Sequence, residues 1–248
     1  MSMDRTRMLA EMGIKPLWRL RAPAAEAAEP VEVLQAAPTP HAMEAQMHVP
    51  AAAMPALETH AVSASPDDWA SLQAKVSACQ ACGLCKARKQ AVLGVGDVNA
   101  DWMFIGEGPG AEEDERGEPF VGQAGKLLDA MLAASGLTRG ENVYIANAVK
   151  CRPPGNRTPE ATEMAACRPF LDQQIAMVKP KLIVALGRAA AQTLSGTEMS
   201  ISAARGRLHK CGDVPMVVTF HPAYLLRTPR DKAKAWADLC LAMDQMRG

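Results

Sequence analysis

The sequence predicts an α/β fold built on a parallel sheet. Four short apolar runs are typical of buried strands, and stretches with helical periodicity lie between and after them. Strands that alternate with helices form βαβ units, in which the strands run parallel and the crossovers are right-handed. The strands are predicted at 102–105, 143–149, 182–186 and 214–220, and the helices at about 123–135, 159–178, 188–195 and 230–246.

The first 65 residues are predicted to lie outside this fold. Residues 1–21 interleave apolar and basic side chains around Trp18, which predicts an amphipathic docking peptide; a tail that packs on its own domain is the equal alternative. Residues 22–65 are rich in Ala, Pro and Glu and contain no aromatic residue, which predicts a disordered linker. One folded domain is expected over residues 66–248.

That domain is predicted to begin with a helix that leads to the first cysteines. Ser65 is a suitable N-cap, and Pro66 suits the first helical position. Trp69, Leu72 and Val76 then fall on one helical face, which we expect to be buried.

Hydropathy indicates a cytoplasmic protein, and the charge distribution indicates a basic surface that can bind a polyanion. No apolar run approaches the ~18 residues that span a bilayer, and the first residues show no apolar segment of a signal peptide. The net charge is zero, yet from Lys150 to the end there are 15 Lys/Arg against 8 Asp/Glu. A basic half can present a positive face to nucleic acid. We expect no membrane contact and reduced thiols.

The stretch 102–123 is the candidate pocket. Its strand ends in a glycine-rich turn around one carboxylate, Glu107, and an aromatic residue, Phe120, precedes the next helix. Ligands of open α/β sheets bind beyond the carboxyl ends of the strands, and glycine lets a ligand approach the backbone closely. The alternative interpretation is an ordinary surface loop with solvated acids.

Four cysteines have the spacing of a metal site. Cys79 and Cys82 stand three residues apart, Cys151 follows a predicted strand, and Cys167 lies in the next helix. Four thiolates suit either a tetrahedral zinc ion or an iron–sulfur cluster, and spacing does not choose between them. Cys85 is an alternative to Cys82 as a ligand. Inert buried thiols are the structural alternative, and we expect them at the two remaining downstream cysteines.

Several motifs follow one another between residues 75 and 245. They are Cys79-x-x-Cys82-x-Leu84-x-x-x-Arg88; Gly106-Glu107-Gly108-Pro109-Gly110-x-x-Glu113-Asp114; Gly117-x-Pro119-Phe120-Val121-Gly122-x-Ala124-Gly125; Asn147-x-x-Lys150-Cys151-Arg152-Pro153-Pro154-x-Asn156-Arg157; Cys167; and His221-Pro222-x-Tyr224-Leu225-Leu226-Arg227. With these motifs the domain resembles the family 4 uracil-DNA glycosylases, the iron–sulfur class.

The resemblance implies a three-layer α/β/α sandwich around a four-stranded parallel sheet. It also implies a [4Fe-4S] cluster on Cys79, Cys82, Cys151 and Cys167. The implied activity is that of a monofunctional DNA glycosylase of base excision repair. Such an enzyme flips uracil out of DNA and hydrolyses its N-glycosidic bond, leaving an abasic site. We then expect uracil-containing DNA as the partner, a monomer, and the bacterial cytosol or nucleoid as the location.

The resemblance also implies a role for each residue of the pocket. Phe120 stacks on uracil, the amide of Asn147 reads its polar edge, and Glu113 crowds the position of the thymine methyl group. His221 stabilises the uracil anion, and Glu107 either positions water or offsets the charge of the sugar cation.

Two further sets of residues carry implied contacts. Backbone groups of Gly106, Glu107 and Gly108 line the base. An apolar wedge with a flanking cation is expected to enter the minor groove from a loop after His221. The residues of this DNA-binding loop are Tyr224, Leu225, Leu226 and Arg227.

Two alternatives belong to other functional classes. One is a replisome-associated accessory protein that uses the glycosylase fold as a binding module, and the other is a zinc-bound nucleic-acid-binding module. Residues 1–21 are similar to the N-terminal peptide of the psi subunit of the bacterial clamp loader, so a clamp-loader protein is a candidate partner. The matching positions are Leu9, Met12, Gly13, Ile14, Trp18, Leu20 and Arg21, with one extra residue before the Trp.

Overall fold

The structure is a computed structural model that describes the backbone of residues 66–247 and the side chains of residues 69–247. The predicted docking peptide (1–21) and linker (22–65) lie outside these residues. The helices are α1 (Pro66–Ala78), α2 (Ala111–Arg116), α3 (Gln123–Ala134), α4 (Ala161–Val178), α5 (Arg188–Ser195), α6 (Ile201–Ala204), α7 (Pro222–Arg227) and α8 (Lys232–Arg247). The strands are β1 (Val95–Gly96), β2 (Trp102–Gly106), β3 (Val143–Asn147), β4 (Leu182–Leu186), β5 (Leu208–Cys211) and β6 (Val214–Thr219).

The sheet has six strands in the order β1-β3-β2-β4-β6-β5. The four predicted strands are its parallel centre, since β2 pairs in parallel with β3 and β4, and β4 with β6. β1 and β5 add antiparallel edges on β3 and β6. The expected four-stranded parallel sheet is therefore corrected to a mixed sheet of six strands. The edge strands are short or largely exposed, so they carry no apolar run that would reveal them.

Helices cover both faces of the sheet, because successive side chains of a strand point to opposite faces. Met103 of β2 shares a core cluster with Leu171 of α4, and Phe104 shares another with Leu128 of α3. Residues of α5 join the first cluster and residues of α8 join the second. Every residue of β2, β3 and β4 is buried, as expected for parallel strands covered on both sides.

The parallel strands end at a common edge of the sheet. Gly106 pairs with Asn147, and Leu186 pairs with Thr219, so the last residues of the four strands are neighbours. The loops after these strands therefore meet in space. Among the helices between Pro66 and Arg247, none is long and apolar enough to cross a bilayer.

Candidate active site

A cavity of about 790 Å³ opens at this edge of the sheet. Volumes of a few hundred to about 1,000 Å³ are typical of sites for small ligands. Its walls come from the loops that follow β2, β3, β4 and β6. The predicted site residues among its lining are Glu107, Gly108, Glu113, Phe120, Asn147, His221, Tyr224 and Arg227.

Asn147 is the last residue of β3, and its side chain reaches the cavity. It is only 2% exposed, and its Oδ1 has no hydrogen-bond partner. A buried amide oxygen without a partner is costly, so a ligand with a suitable donor would relieve the cost. A methyl group on Gly106 would lie 2.5 Å from this Oδ1 and 2.5 Å from Cζ of Phe120, so a larger residue at this position would displace one of these side chains.

Phe120 forms an aromatic wall of the site. Its ring stacks on His221 with 5.5 Å between the ring centroids and 30° between the planes. The backbone of Phe120 lies in the left-handed region, with φ 56°. Arg139 holds this conformation by donating to the carbonyl oxygens of Pro119 and Phe120, at 3.1 and 2.8 Å.

Glu113 secures the same loop from the other side. Its Oε2 accepts from the main-chain N–H of Gly110 at 3.1 Å, and its Oε1 accepts from Val121 and Gly122, each at 3.0 Å. The carboxylate therefore ties the glycine-rich turn to the loop that carries Phe120. Glu113 also lines the cavity, as predicted. Its hydrogen bonds to the loop backbone were not evident from the sequence.

His221 is the N-cap of α7 and presents one defined tautomer. Its Nδ1 accepts a hydrogen bond from the main-chain N–H of Ala223 at 3.2 Å. The proton of the neutral imidazole is therefore on Nε2. Burial and, to a lesser extent, the positive charge of Arg227 together lower the pKa of His221 to about 4, against the opposing effect of Glu113. The imidazole is thus a neutral donor at physiological pH.

Glu107 follows β2 and faces the loops after β3 and β4. Burial raises the pKa of its carboxyl group, while a hydrogen bond from Thr158 and the positive charge of Arg188 act in the opposite direction. Both partners line the same cavity. Glu107 is thus a partly desolvated carboxylate in the lining of the cavity, which is the environment of many acid–base groups.

The lining of the cavity includes four cationic side chains. Arg157, Arg188, Arg227 and Lys234 all belong to its lining. Arg157 is paired with Glu163, at 2.7 Å, and Lys234 with Asp231, at 2.9 Å. Sequence reasoning missed Arg188, although it follows the predicted strand 182–186 at the carboxyl edge where ligands bind.

The predicted DNA-binding loop is a short helix, α7, whose four candidates point in different directions. Leu226 is 44% exposed, whereas Leu225 is 1% exposed and packs in the core. The assignment of Leu225 to DNA contact is therefore corrected, because a helix sends neighbouring side chains to different faces. Tyr224 stacks on Phe220, at 4.9 Å, and donates to Asp231 at 2.7 Å. Arg227 is exposed at the cavity.

The cysteines come together at a second site, beside β3 and α4. Cys151 and Cys167 are buried, and the thiols share a small recess. The residues that define it include Cys79, Cys82, Cys85, Cys151, Cys167, Arg88 and Lys150. Among residues 69–247, no group of three or more His, Cys, Asp or Glu side chains is arranged to hold a metal ion. A [4Fe-4S] cluster has another requirement, since its four thiolates bind four different irons around a shared space.

The chemistry of the recess fits such a cluster. The main-chain N–H of Lys150 donates to Sγ of Cys167 at 3.2 Å, and the N–H of Ala81 donates to Sγ of Cys79 at 3.5 Å. Arg88 donates to Sγ of Cys151 at 2.9 Å. Hydrogen bonds to sulfur and nearby cations stabilise cluster thiolates. Burial raises the pKa of the Cys167 thiol to about 11, and the positive charge of Lys150 opposes the rise.

Comparison with known proteins agrees with this geometry. Residues 93–240 match the family model of the uracil DNA glycosylase superfamily. A type-4 uracil-DNA glycosylase of Thermotoga maritima is 48% identical over 155 residues, which are 62% of this chain and 80% of the relative. Type-4 uracil-DNA glycosylases of Pyrobaculum aerophilum and Archaeoglobus fulgidus are 42% and 43% identical, over 70% and 63% of this chain and 92% and 82% of the relatives.

Fold, site and similarity lead to one assignment. The chain belongs to the uracil DNA glycosylase superfamily and, within it, to the type-4 uracil-DNA glycosylases.

Proposed function

We propose that this protein is a monofunctional uracil-DNA glycosylase of base excision repair. It flips uracil out of DNA, hydrolyses the bond between uracil N1 and the sugar C1′, and leaves an abasic site. The observation that carries the proposal is the Asn147 amide, buried at the cavity with its Oδ1 unpartnered, beside the stacked rings of Phe120 and His221.

Uracil recognition rests on shape and on one amide. A flat pyrimidine is expected to stack on Phe120 while Asn147 supplies a donor and an acceptor to its polar edge. Main-chain groups of Gly106, Glu107 and Gly108 border the base. Glu113 excludes thymine by crowding the position of its methyl group, and the three backbone hydrogen bonds that fix Glu113 and the adjacent turn support this role.

Bond cleavage places negative charge on the departing uracil and positive charge on the sugar. Nε2–H of His221 donates to a uracil oxygen, which stabilises the base as it leaves with the bonding electrons. Water then attacks C1′, and its proton passes to a base or to solvent. Glu107 either orients that water or offsets the charge of the sugar cation, and both roles need the ionised carboxylate.

DNA is held by the cations that surround the cavity and by α7. Leu226 is the exposed apolar side chain that can enter the base stack, and Arg227 follows it directly. Tyr224 supports the helix through Phe220 and Asp231. Arg188 joins this set as a phosphate contact.

The proposed cofactor is a [4Fe-4S] cluster on Cys79, Cys82, Cys151 and Cys167. When bound, it supplies a covalent link between the segment after α1, the turn after β3 and helix α4. The chain's own contribution is the set of N–H groups and cations that stabilise the thiolates. A zinc module would give a colourless protein, whereas a cluster gives broad visible absorbance.

Residues 1–21 are proposed to tether the enzyme, through the linker 22–65, to a replication protein such as a component of the clamp loader. The proposal rests on the interleaved basic and apolar residues around Trp18. Deletion of residues 1–21 is expected to leave uracil excision intact while abolishing capture of purified clamp-loader proteins. If the full chain captures none of them, the tether hypothesis is wrong. The proposed setting is the bacterial cytosol and nucleoid, with the enzyme acting as a monomer.

The test of the function is cleavage, after alkali, of a labelled uracil-containing oligonucleotide. Wild-type protein is compared with Asn147→Ala and His221→Ala. Cleavage at uracil by the wild type and loss of about a hundredfold or more in both variants would establish enzyme and pocket together. If folded, cluster-loaded wild-type protein leaves every uracil intact, the binding-module hypothesis replaces the enzyme.

A further inference from the structure

Lys150 is a completely buried cation between the cysteine site and the uracil site. It is 1% exposed and is among the largest fully buried side chains of the described residues. Its Nζ donates to the main-chain oxygen of Asn147 at 2.8 Å and to Oε1 of Gln174 at 2.5 Å. It does not line the large cavity, so its amine is not placed to attack the sugar.

Burial of the Lys150 ammonium is energetically unfavourable unless a counter-charge lies nearby. Among residues 69–247, no carboxylate forms an ion pair with Lys150. The ionisable groups beside it are thiols, since Lys150 lines the recess of the cysteines and its main-chain N–H donates to Cys167. Thiolates that bind a cluster would provide the negative counter-charge that no carboxylate provides to this ammonium.

The surrounding hydrogen bonds hold the side chain in one place. Gln174 lies on α4 seven residues after Cys167, so both residues are on the same face of that helix. Its Nε2 donates to the carbonyl of Leu93 and to the hydroxyl of Tyr144, each at 2.9 Å. The ammonium is thus fixed between α4, which carries a cysteine, and the end of β3, which carries the uracil-reading amide.

We propose that Lys150 is a positioning residue that couples the cluster to uracil recognition. Its ammonium is the buried counter-charge of the cysteine thiolates, and its hydrogen bond to the Asn147 carbonyl fixes the direction of the Asn147 amide. The inference rests on the proposed function, in which Asn147 reads uracil and the cysteines hold a cluster. It adds a residue that touches neither the base nor the iron.

The test compares Lys150→Met with Arg88→Met in the full-length protein. Lys150→Met keeps the unbranched side chain up to its fourth heavy atom and removes the charge and both hydrogen bonds of Nζ. Arg88 is the matched comparison, because it donates to the Cys151 thiol and to the carbonyls of Ser77 and Cys79, but not to Asn147. Two quantities are measured. The first is the rate at which visible absorbance is lost in air. The second is the dissociation constant of free uracil, determined for the fraction of molecules that carries iron.

We expect Lys150→Met to lose its absorbance about tenfold faster and to bind free uracil about tenfold more weakly. Arg88→Met is expected to lose absorbance faster with an unchanged uracil dissociation constant. A purely structural Lys150 would leave uracil affinity unchanged in loaded molecules, and that result would overturn the inference. An equal loss of uracil affinity in both variants would overturn it as well.

A second variant covers the case in which Lys150→Met holds no cluster. Gln174→Met keeps the ammonium and removes one of its two acceptors, so weaker uracil binding with the cluster retained supports the coupling, and unchanged binding contradicts it. Wild-type cleavage of uracil-containing DNA is measured in parallel. If the wild type cleaves and uracil affinity never changes, only the coupling is wrong; if the wild type does not cleave, the proposed function itself is wrong.

Discussion

The imidazole Nδ1 of His221 accepts a hydrogen bond from the main-chain N–H of Ala223, 3.2 Å away. This contact begins helix α7 and at the same time determines which ring nitrogen carries the proton. One hydrogen bond therefore caps helix α7 and also leaves Nε2 of His221 as the nitrogen that can donate to a ligand.

The pH dependence of excision should be determined by Glu107 rather than by His221. Since the pKa of His221 is lowered to about 4, the imidazole stays neutral throughout the range near neutrality. The pKa of Glu107 is raised by burial, so its carboxylate takes up a proton at higher pH than an exposed glutamate and the rate falls as pH decreases. We expect Glu107→Gln to be slower and to lose this acid limb in a profile of kcat/KM.

The matched variant for this profile is His221→Gln, which removes the imidazole and leaves Glu107 in place. It should be slower at every pH while retaining the acid limb. An acid limb that persists in Glu107→Gln and disappears in His221→Gln would reverse the assignment.

Substitutions can distinguish the two roles of Glu113, which are to hold the loop and to exclude thymine. Glu113→Gln keeps an oxygen for Val121 and Gly122 but turns an NH₂ group toward the N–H of Gly110. Loss of this bond is expected to cost about 1–3 kcal/mol of unfolding free energy and to slow uracil excision. Chemical denaturation and cleavage assays measure the two effects.

Glu113→Ala then tests the exclusion of thymine. If Glu113 excludes the methyl group, weak excision of thymine should appear as uracil excision falls. If thymine remains untouched and only uracil excision falls, Glu113 acts on the loop alone.

Arg188 is expected to contact a DNA phosphate. Arg188→Ala should weaken binding to DNA of any sequence and reduce the slope of log affinity against log salt by about 1. Arg247→Ala is the control: Lys234, in the first turn of α8, lines the cavity, and Arg247 lies thirteen residues further along the helix, about 20 Å away. Fluorescence anisotropy at several salt concentrations measures both slopes, and equal slopes for Arg188→Ala and wild type would exclude the contact.

Substitution can show whether Cys82 or Cys85 is the fourth ligand of the cluster, since both line the recess. We expect Cys82→Ser to lose visible absorbance and iron, because one of the four thiolates is missing, and Cys85→Ser to keep both. Cys211→Ser is the control, because Cys211 lies on the edge strand β5 and does not belong to the lining of the recess. Iron per protein is the measurement, and the opposite result would make Cys85 the ligand.

The centre of the fold was predictable because the central strands are buried on both faces. The predicted strand at 182–186 is β4, and the predicted helix at 188–195 is α5. β5 was missed because it is mostly exposed, with a pairing set by β6 and not by its own composition. Likewise α2, a six-residue helix, was hidden in an acidic cluster that resembles a loop.

The location of a site residue could be predicted where the residue belongs to a recognisable motif. The direction and burial of a side chain could not be predicted where they depend on tertiary packing. The positions of Asn147 and His221 at strand ends follow from the sequence pattern. The burial of Leu225 does not, since Leu225 and Leu226 are the same residue type on different faces of one helix, and only the tertiary structure determines which face is buried. The three bonds to Glu113 also require the folded loop.

The edges of the sheet have a consequence for how copies of this protein meet one another. An open sheet edge exposes unpaired backbone groups that can join the strand of a neighbouring molecule. Here one edge strand has two residues, and the other has four and carries His209 and Lys210. Edges this short, one of them with two polar side chains, offer few backbone groups to a neighbouring sheet, which disfavours edge-to-edge association of two copies.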